Sequence, residues 1–597
     1  MKIKHTISNV CLVLKYYMKY VPGYMVGQTL FTIFVSAVWA VQGPVTTKFV
    51  LDALVTGKPI TEIIIFLCIV ILFVLIRHSL ACYIVEYLET VSNIKIRGKI
   101  LNELHGKASK MDLEYYETPQ FYTDYVWAAQ QATWQFAKIH AYFSTLVSRV
   151  FEVLFMGSVI IALNPVMLVL AAVMGIIRFI QQRKQIQLRY AANMEVKPLE
   201  RERDYSKRVF YLSDYAKEIR LSDIHEVLYE RFKTSNDKIC AIWKSVGRKR
   251  FKVSVLGDTG AETVGIFGIY SFLAYEILVK ENLTLGDFSA LSQAAMRFAN
   301  RFSAVLSTAL DLEEQSLYVD KFRRFMEYEP KIERMSGNMP THEMQTLELR
   351  NVSFTYNGEK QPSLKNINMV IKPHEKIAIV GYNGAGKTTL IKLLMRLYDP
   401  TEGEILFGGK NVKEYDTESY RKEFAAVFQD YQIFAATLGE NVVMDNVETG
   451  GSEEAEIMSA LVQGDFGDKL NELSMGIYTP LTKEFEKSGV NLSGGEAQKV
   501  AIARAFYKPA QFAVLDEPSS ALDPIAEYKL NHNMVEIAKE KTVIFISHRL
   551  STTVMADKIY MFEKGEIIEQ GTHRELMELG GKYAEMFIKQ SNSYLNP

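Results

Sequence analysis

Long apolar runs occupy the first half of the chain, and short apolar runs separated by polar and glycine-rich stretches occupy the second half. The first long run, 22–47, contains no charged side chain. As an α-helix it would measure about 39 Å, which is enough to cross a hydrocarbon core about 30 Å thick with some tilt. The run is also too long for the apolar core of a signal peptide, so the pattern predicts a membrane-spanning helix.

Five further runs share this apolar character, although single charges interrupt several of them. Together with the first run they predict six membrane spans, at about 22–47, 63–85, 139–162, 166–181, 255–279 and 284–310. Asn164 and Pro165 would break a continuous helix, so the third and fourth spans are predicted to form a tight helical hairpin.

Lysine and arginine are distributed unequally between the loops. The three short loops near 56–61, 163–165 and 280–283 contain only Lys58 and Lys280, whereas the segment 183–250 contains seventeen basic residues. Loops rich in Lys and Arg stay on the cytoplasmic side of a membrane. The sequence therefore predicts a multi-pass protein of a bacterial plasma membrane, surrounded by lipid, with both termini in the cytoplasm.

The helical pattern continues beyond the predicted spans into two polar segments, 87–135 and 182–250. These segments predict long cytoplasmic extensions that turn around within 112–126 and 211–232. The residue pattern alone leaves two interpretations of each turn open. The turn is either a solvated helical hairpin or a surface that docks on another domain.

A polar stretch with two prolines, 327–345, predicts a linker after the sixth span. Beyond it, strand signals alternate with helical segments, as is typical of a mainly parallel sheet with crossover helices. These predicted strands are 377–380, 425–428, 512–515 and 542–547. The predicted architecture is an all-α six-helix transmembrane domain, 1–326, followed by an α/β domain, 346–597.

Composition narrows the possible partners. The chain has 597 residues, more than a single core normally supports, and its 68 basic and 69 acidic residues give a formal charge of -1. Nucleic-acid binding normally needs a strongly basic face. The charge balance therefore gives no reason to expect a nucleic-acid partner.

The glycine loop GYNGAGKT at 381–388 follows a predicted strand and precedes the helical segment TLIKLLMRLY. This is the context that the phosphate-binding pattern GxxxxGK[ST] requires. Its glycines allow the backbone to wrap around phosphates, Lys387 can reach the β- and γ-phosphates, and the Thr388 hydroxyl can ligate Mg²⁺. The motif predicts binding of ATP or GTP.

Two adjacent carboxylates, Asp516 and Glu517, follow the apolar segment 512–515. They would emerge at the carboxyl end of a strand, which is where α/β sheets bind ligands. Asp516 is predicted to join the shell of Mg²⁺, and Glu517 is predicted to polarise the water that attacks the γ-phosphate.

Three further side chains are predicted to face the same nucleotide. His548 follows the strand 542–547 and is predicted to contact the γ-phosphate. Gln429 follows the strand 425–428 and can ligate the metal or the attacking water. Tyr356 lies upstream of the glycine loop, where its ring can stack on the nucleobase.

The order and spacing of these motifs resemble the ATPase domain of ABC transporters, over 346–590. The resemblance rests on GYNGAGKT, VFQD, LSGGE at 492–496, FAVLDEP, SSALD at 519–523 and ISHR at 546–549. Six spans with long cytoplasmic extensions ahead of the ATPase resemble the exporter class of that family. The implied fold is therefore an exporter-type membrane domain followed by an α/β P-loop ABC ATPase domain.

The resemblance implies a function for each residue that matches a family motif, with ATP and Mg²⁺ as cofactors. It assigns Tyr356 to adenine, and Gln429 and Asp516 to Mg²⁺. It assigns Glu517 to the attacking water and His548 to the γ-phosphate. The residues assigned to the phosphates are Gly381, Asn383, Gly384, Ala385, Gly386, Lys387, Thr388 and Thr389.

A second glycine loop without a lysine, LSGGE, opens another helix about a hundred residues later. In the resembled family, Ser493, Gly494 and Gly495 close on ATP bound to the other subunit, and Asp523 makes a contact across the dimer. Glu496 is assigned to the same ATP contact, although the family most often has glutamine there. The implied assembly is a dimer with two composite ATP sites, formed with a second copy or with a homologous half-transporter.

The resemblance implies ATP-driven export by alternating access. The segments 215–222, 482–495 and 523–527 are similar to those of half-transporters that export ribosomally made peptides such as lantibiotics. Residues 1–21 precede the first span, so no fused leader peptidase is expected. Alternatives to a peptide exporter are a multidrug or lipid exporter, or an ABC-derived regulator or channel without net pumping.

Among the charged residues inside the predicted spans, six are predicted to lie deep in the membrane, where a charge costs about 2.5 to 3.5 kcal/mol at the bilayer centre. They are Arg77, Arg149, Glu152, Glu262, Arg297 and Arg301. One interpretation is structural ion pairing, with Glu262 at a depth suited to the two arginines of the last span. The other is a polar lining of the transport cavity, and the sequence leaves both open.

Overall fold

A computed structural model describes residues 2–212, 215–332, 337–341, 343–518, 524–547 and 549–595. The chain forms two compact units. The helical unit comprises Met1–Lys110 and Thr118–Tyr328, and the α/β unit comprises Met111–Glu117 and Glu329–Pro597. One short segment from within the helical half of the sequence thus belongs to the α/β unit.

Long helices joined by short turns make up the helical unit. In chain order the helices of the first half are α1 (Lys2–Tyr20), α2 (Pro22–Val55), α3 (Ile60–Cys82), α4 (Thr90–Ala108), α5 (Leu113–Tyr116), α6 (Pro119–Trp127), α7 (Thr133–Leu163), α8 (Val166–Tyr211), α9 (Ala216–Leu221), α10 (Ile224–Thr263), α11 (Ser271–Leu278) and α12 (Leu285–Glu327). Three π-helical stretches, Tyr83–Glu89, Ala128–Ala132 and Val264–Tyr270, link consecutive helices without a break.

The predicted hairpin between the third and fourth spans is confirmed. Helix α7 ends at Leu163 and α8 begins at Val166. The Asn164 side-chain oxygen accepts a hydrogen bond from the backbone N–H of Val166 at 3.0 Å, so Asn164 satisfies the first N–H group of α8.

Five helical segments are long and apolar enough to cross a membrane, among the residues that the structure describes. They are Pro22–Val55, Ile60–Ala108, Trp134–Leu163, Val166–Tyr211 and Ile224–Leu278. Each overlaps one of the first five predicted spans, and several extend well beyond it. The sixth, 284–310, lies in the 43-residue helix α12, in which Asp287, Arg297 and Arg301 interrupt the apolar run. It stays a prediction.

Two sheets form the centre of the α/β unit. The strands are β1 (Leu347–Phe354), β2 (Leu364–Ile371), β3 (Lys376–Gly381), β4 (Glu402–Phe407), β5 (Lys410–Asn411), β6 (Phe424–Val427), β7 (Phe512–Asp516), β8 (Thr542–Ile546), β9 (Lys558–Glu563) and β10 (Glu566–Gly571). The larger sheet has the order β10-β9-β3-β8-β7-β6, and all its pairs except β9 with β10 are parallel. The smaller, antiparallel sheet has the order β2-β1-β4-β5.

All four predicted strands are present, as β3, β6, β7 and β8, and their parallel arrangement is confirmed. Alternate residues of β3 pack into different cores, Ile377 and Ile379 on one face and Ala378 and Val380 on the other. Because both faces are covered, the residues between the ends of these strands are apolar.

Ten helices surround these sheets among the described residues. They are α13 (Lys387–Leu394), α14 (Thr417–Lys422), α15 (Leu438–Val443), α16 (Glu454–Gln463), α17 (Gly467–Glu472), α18 (Gly494–Tyr507), α19 (Pro524–Ile537), α20 (Leu550–Thr553), α21 (His573–Leu579) and α22 (Lys582–Leu595). Helix α13 follows β3 directly, and the chain enters α19 after β7. The loops that leave β3, β7 and β8 therefore emerge at one edge of the sheet.

Candidate nucleotide-binding site

The glycine loop connects β3 to α13, and its last residue shows why glycine is needed. Gly386 precedes the first residue of α13 with a φ of +101°, which side chains of L-residues rarely adopt. A Cβ atom there would lie 2.7 Å from Leu364 Cδ2 and 2.8 Å from the Ser363 carbonyl oxygen. The loop can therefore turn back against β2 only with glycine at this position.

Lys387 is held by the loop that it follows. Its ammonium donates hydrogen bonds to the carbonyl oxygens of Gly381 at 2.7 Å and Tyr382 at 3.1 Å, and the residue is only 6% exposed. Burial lowers the pKa of Lys387, while the charges of Glu517 and Asp516 act in the opposite direction. A phosphate next to this ammonium would supply the negative charge that favours its protonated form.

A cavity of about 850 Å³ opens beside the loop. This volume lies within the usual range for small-molecule sites. The predicted site residues that line it are Asn383, Gly384, Ala385, Gly386, Lys387, Thr388, Thr389, Gln429 and Glu517. Residues from three separate parts of the sequence thus meet in one cavity.

Seven lining residues were not predicted from the sequence: Glu359, Gln361, Pro362, Ser363, Lys365, Lys564 and Gly565. They come from the loop before β2, from the start of β2 and from the turn between β9 and β10. Backbone hydrogen bonds hold these parts together, from Lys365 N–H to the Gly565 carbonyl at 2.8 Å and from Gly565 N–H to the Ala385 carbonyl at 3.1 Å. The Lys-Gly turn at 564–565 is visible in the sequence, but its pairing with the glycine loop is not.

The two adjacent carboxylates have different environments. Asp516, the last residue of β7, is 3% exposed and accepts a hydrogen bond from the Thr388 hydroxyl at 3.2 Å. Burial raises its pKa, and the Thr388 hydrogen bond opposes that shift. Glu517 is half-buried, and its backbone adopts a φ of +51° while its N–H donates to the Ile546 carbonyl at 3.1 Å. This strained conformation turns Glu517 away from the strand and into the cavity.

The oxygen donors at the cavity fit a magnesium ion. The Thr388 hydroxyl and the Asp516 carboxylate are within hydrogen-bond distance of each other, and the Gln429 side chain lines the same cavity. Hydroxyl, carboxylate and amide oxygens are the hard ligands that Mg²⁺ prefers.

Tyr356 lies beside α13, the helix that follows the glycine loop, and is not among the residues that line the cavity. Its hydroxyl is 3.2 Å from the Thr389 hydroxyl, and its ring packs edge-on against Phe354 and Tyr398, with centroids 4.8 and 5.4 Å away. The ring is half-buried. Its contact with adenine stays a prediction.

The second glycine loop is separate from this cavity in the single chain. Ser493 caps α18 in a reciprocal arrangement with Glu496, in which the Ser493 hydroxyl accepts from the Glu496 N–H at 3.4 Å and the Ser493 N–H donates to the Glu496 carboxylate at 2.8 Å. Neither these residues nor Gly494 and Gly495 line the cavity. Among the predicted site residues, Asp523 and His548 lie outside the described part of the chain.

Gln498 connects the helix that follows the second loop with the end of β7. It is 2% exposed, and its amide nitrogen is 3.5 Å from the Glu517 carbonyl oxygen. Its side chain therefore points into the domain.

The segment Met111–Glu117 is part of the α/β unit and is fixed there by its carboxylates. Asp112 accepts hydrogen bonds from the backbone N–H groups of Lys331 at 2.6 Å and Ile332 at 3.2 Å. Glu117 accepts from the Lys392 ammonium at 2.8 Å and from the Tyr398 hydroxyl. Lys392 belongs to α13, so this segment is attached to the helix that begins with the P-loop lysine.

The predicted turn 112–126 is thus divided, because residues from Thr118 onward belong to the helical unit. The second predicted turn, 211–232, contains α9, in which no residue is buried. Leu221, at the end of α9, is 88% exposed.

Two of the charged residues in the predicted spans form an ion pair. Arg301 Nε lies 2.5 Å from the Glu152 carboxylate. Arg149 donates to the Ala304 carbonyl at 2.9 Å and to the Thr308 hydroxyl. Arg149 and Arg301 are therefore anchored to facing helices, α7 and α12.

The remaining charges are placed differently. Arg297 donates to the Trp39 carbonyl at 3.2 Å, and the Arg77 guanidinium lies 5.1 Å from the centre of the Trp39 ring. Glu262 is exposed and forms no ion pair with another described residue. The suggested pairing of Glu262 with Arg297 or Arg301 is wrong, because Glu152 is the partner of Arg301 and a backbone carbonyl is the partner of Arg297.

Comparison with known proteins identifies relatives of this arrangement. Residues 364–520 match the profile of the ABC transporter family. The subtilin transport ATP-binding protein SpaT of Bacillus subtilis is 28% identical over 554 residues, which cover 92% of this chain and 88% of SpaT. The ATP-dependent lipid A-core flippase of Escherichia coli (strain K12) is 31% identical over 384 residues, or 63% of each protein.

A solved structure of a bacterial Atm1-family ABC exporter with ATP bound has a similar fold. The superposition has a TM-score of 0.72 and covers 96% of this chain and 98% of that one, at 21% sequence identity.

Proposed function

We propose that this protein exports a substrate across the plasma membrane. The proposal is supported by its multi-pass helical unit, by its ABC-exporter fold and by the ATP-hydrolysing domain of an ABC transporter. Export proceeds by alternating access in a dimer, with both termini in the cytoplasm. The observation that carries the dimer is the separation of the two glycine loops. One loop lines the nucleotide cavity, and the other, at Ser493, does not.

Each nucleotide site is composite. The P-loop surrounds one side of the triphosphate with its backbone N–H groups and Lys387. The side that faces away from the P-loop needs donors from elsewhere, and the Ser493 loop of a second chain supplies them at the start of α18. ATP then joins two chains more tightly than ADP does, so hydrolysis releases the closed state.

The site residues divide the chemistry between them. Lys387 and the loop bind the β- and γ-phosphates, and Glu517 orients the attacking water and accepts its proton. Thr388, Asp516 and Gln429 would hold Mg²⁺, which neutralises charge on the phosphates when it is bound. His548 contacts the γ-phosphate and Asp523 contacts the partner chain.

Two surfaces of the chain expose apolar side chains and are candidate docking surfaces. The α/β unit has a cavity of about 760 Å³ with apolar side chains that include Phe428, Tyr431, Phe434 and Met444. The tip around α9 exposes Leu221 and other apolar residues. We propose that the tip around α9 is a docking surface for an ATPase domain, as expected for 211–232.

A peptide is the proposed cargo, since a relative that aligns over 92% of this chain is named for subtilin transport. A lipid is the second candidate, because a lipid A-core flippase matches at 31% identity. Stimulation of ATP hydrolysis by peptides, lipids and drugs in proteoliposomes discriminates between these classes. Replacing Arg297 by alanine should reduce that stimulation far more than basal hydrolysis if Arg297 lines the transport cavity, and an equal loss of both would argue for a structural function.

Glu517→Gln tests the hydrolytic assignment directly. The amide keeps the size of the side chain but cannot accept the proton of the water. Hydrolysis should be nearly abolished while ATP binding, measured by titration of the purified protein, is retained. Unchanged turnover would refute the function assigned to Glu517.

A further inference from the structure

Glu496 places a negative charge in the loop that is proposed to close on the partner's ATP. Its two carboxylate oxygens have different partners. One oxygen accepts hydrogen bonds from the N–H and the hydroxyl of Ser493, at 2.8 and 2.9 Å. The backbone hydrogen bond from Ser493 is the main reason why the pKa of Glu496 is held below its ordinary value, so the side chain is charged at neutral pH.

A charged carboxylate at this position opposes the proposed closure. It lies one helical turn from Ser493, so it would approach the γ-phosphate of the partner's ATP together with that hydroxyl. Like charges that are brought together at an interface weaken association. A glutamine would keep the hydrogen-bond acceptor for Ser493 without adding charge.

Lys469 lies on the other side of this carboxylate. Its ammonium is 3.4 Å from the second Glu496 oxygen, and both side chains are about 30% exposed, at 31% and 28%. Lys469 also pairs with Glu472 at 2.9 Å, within the short helix α17. The carboxylate is therefore held between Lys469 and Ser493, with one oxygen directed at each.

We propose that Lys469 is a positioning residue of the composite ATP site that its own Ser493 loop completes on the partner chain. Lys469 neutralises Glu496 and fixes the rotation of the Glu496 carboxylate, so that Ser493 can face the partner's γ-phosphate. Lys469 and Glu496 together take the place of a single neutral glutamine at position 496. This proposal rests on the proposed function, because Glu496 meets ATP only if two chains close around it.

A double-mutant cycle tests the pair. In the full-length protein in proteoliposomes, Lys469→Met leaves Glu496 without its counter-charge and should raise the ATP concentration for half-maximal hydrolysis about fivefold, with kcat changed much less. In the Glu496→Gln background the same substitution should have almost no effect. High salt should narrow the difference in the Glu496 background, since exposed charges are screened.

Two further variants keep the test independent of folding. Lys469→Arg retains the charge and should behave like the unmodified protein. Lys539→Met removes a lysine with an i,i+3 pair to Glu536, which matches the Lys469–Glu472 pair but lies away from Glu496, and should leave the ATP dependence unchanged.

The proposal is overturned if Lys469→Met has the same effect with Glu496 as with Gln at 496, or no effect in either background. The proposed composite ATP site would still hold after that result, provided that Ser493→Arg abolishes hydrolysis. If Ser493→Arg is also without effect, the proposed function itself fails.

Discussion

The attachment of Met111–Glu117 to the α/β unit gives a prediction that needs no knowledge of the cargo. Glu117 is the residue of this segment that binds α13, through Lys392 at 2.8 Å and through the Tyr398 hydroxyl. Glu117→Ala removes both contacts and leaves the other carboxylates of the segment in place. The segment should then open more readily while the rest of the unit is unchanged.

The size of the effect follows from the exposure of the pair. Hydrogen bonds to charged groups contribute about 1.5 to 3 kcal/mol when they are buried, and exposed ion pairs contribute about 0 to 1 kcal/mol. The Glu117 side chain is 41% exposed and Lys392 is 21% exposed, so the two contacts together should supply about 1 to 2 kcal/mol. Since each 1.4 kcal/mol is a factor of ten, the open population should rise roughly 5- to 30-fold.

Hydrogen–deuterium exchange on the purified full-length protein measures this opening. The Tyr115 and Glu117 amides are hydrogen-bonded to the carbonyls of Asp112 and Leu113, so their exchange reports on the segment. Glu402→Ala, which removes another exposed carboxylate of the same unit on β4, is the matched control and should leave this exchange unaltered. Equal exchange in Glu117→Ala and the unmodified protein would refute the idea that Glu117 holds the segment.

Three other predictions follow from the α/β unit. Gly386→Ala should abolish binding of a fluorescent ATP analogue because of its clashes with β2, whereas at Gly409, outside the cavity, a Cβ meets no atom within 4 Å, so the same change should leave binding intact and cost only the strain of a positive φ, about 1 to 2 kcal/mol. Arg396→Met should destabilise the unit by about 3 to 5 kcal/mol, because the guanidinium is 2% exposed and donates to the Val412 carbonyl and the Thr417 hydroxyl. Thermal unfolding measures this loss, and an unchanged unfolding temperature would show that these hydrogen bonds are dispensable. Burial lowers the pKa of Lys541 to about 8, so between about pH 8 and pH 10 the unfolded chain binds this proton more tightly than the folded chain does. The free energy of unfolding of the unmodified protein should therefore rise with pH through that range relative to that of Lys541→Met, and a constant difference between the two would contradict the shift.

The sequence predicts the parts of the fold whose signals are local. The strands β3, β6, β7 and β8 are short apolar runs bounded by polar residues, and Asn164-Pro165 marks the turn between α7 and α8. The antiparallel sheet of β1, β2, β4 and β5 was not predicted, because irregularities in β1 interrupt its alternation of apolar and polar residues and β5 has only two residues.

The part of the site that the sequence missed depends on long-range pairing. Ser363 and Gly565 reach the cavity because β2 and the β9–β10 turn pack against the glycine loop, although they are about two hundred residues apart in sequence. The Lys469–Glu496 pair likewise joins two helices whose contact no motif encodes. Motifs identify residues that face the nucleotide, whereas the residues that support them are set by packing.

The placement of the docking segment shows the same limit. The sequence treats 112–126 as one turn, but the chain changes from one unit to the other after Glu117. The change coincides with Thr118-Pro119, where proline restricts the preceding residue and starts α6. The boundary was therefore visible in the sequence, but the unit to which each side belongs was not.

Complementation between two defective chains tests the shared ATP site most directly. Lys387→Ala damages the P-loop and Ser493→Arg damages the second loop, so a dimer of either variant alone has two damaged sites and should hydrolyse almost no ATP. If each site takes one loop from each chain, a mixed dimer contains one site with both defects and one intact site, and random mixing should restore about a quarter of the normal rate. If both loops acted within one chain, every site in the mixture would still be damaged, and a mixture no more active than its parents would contradict the account.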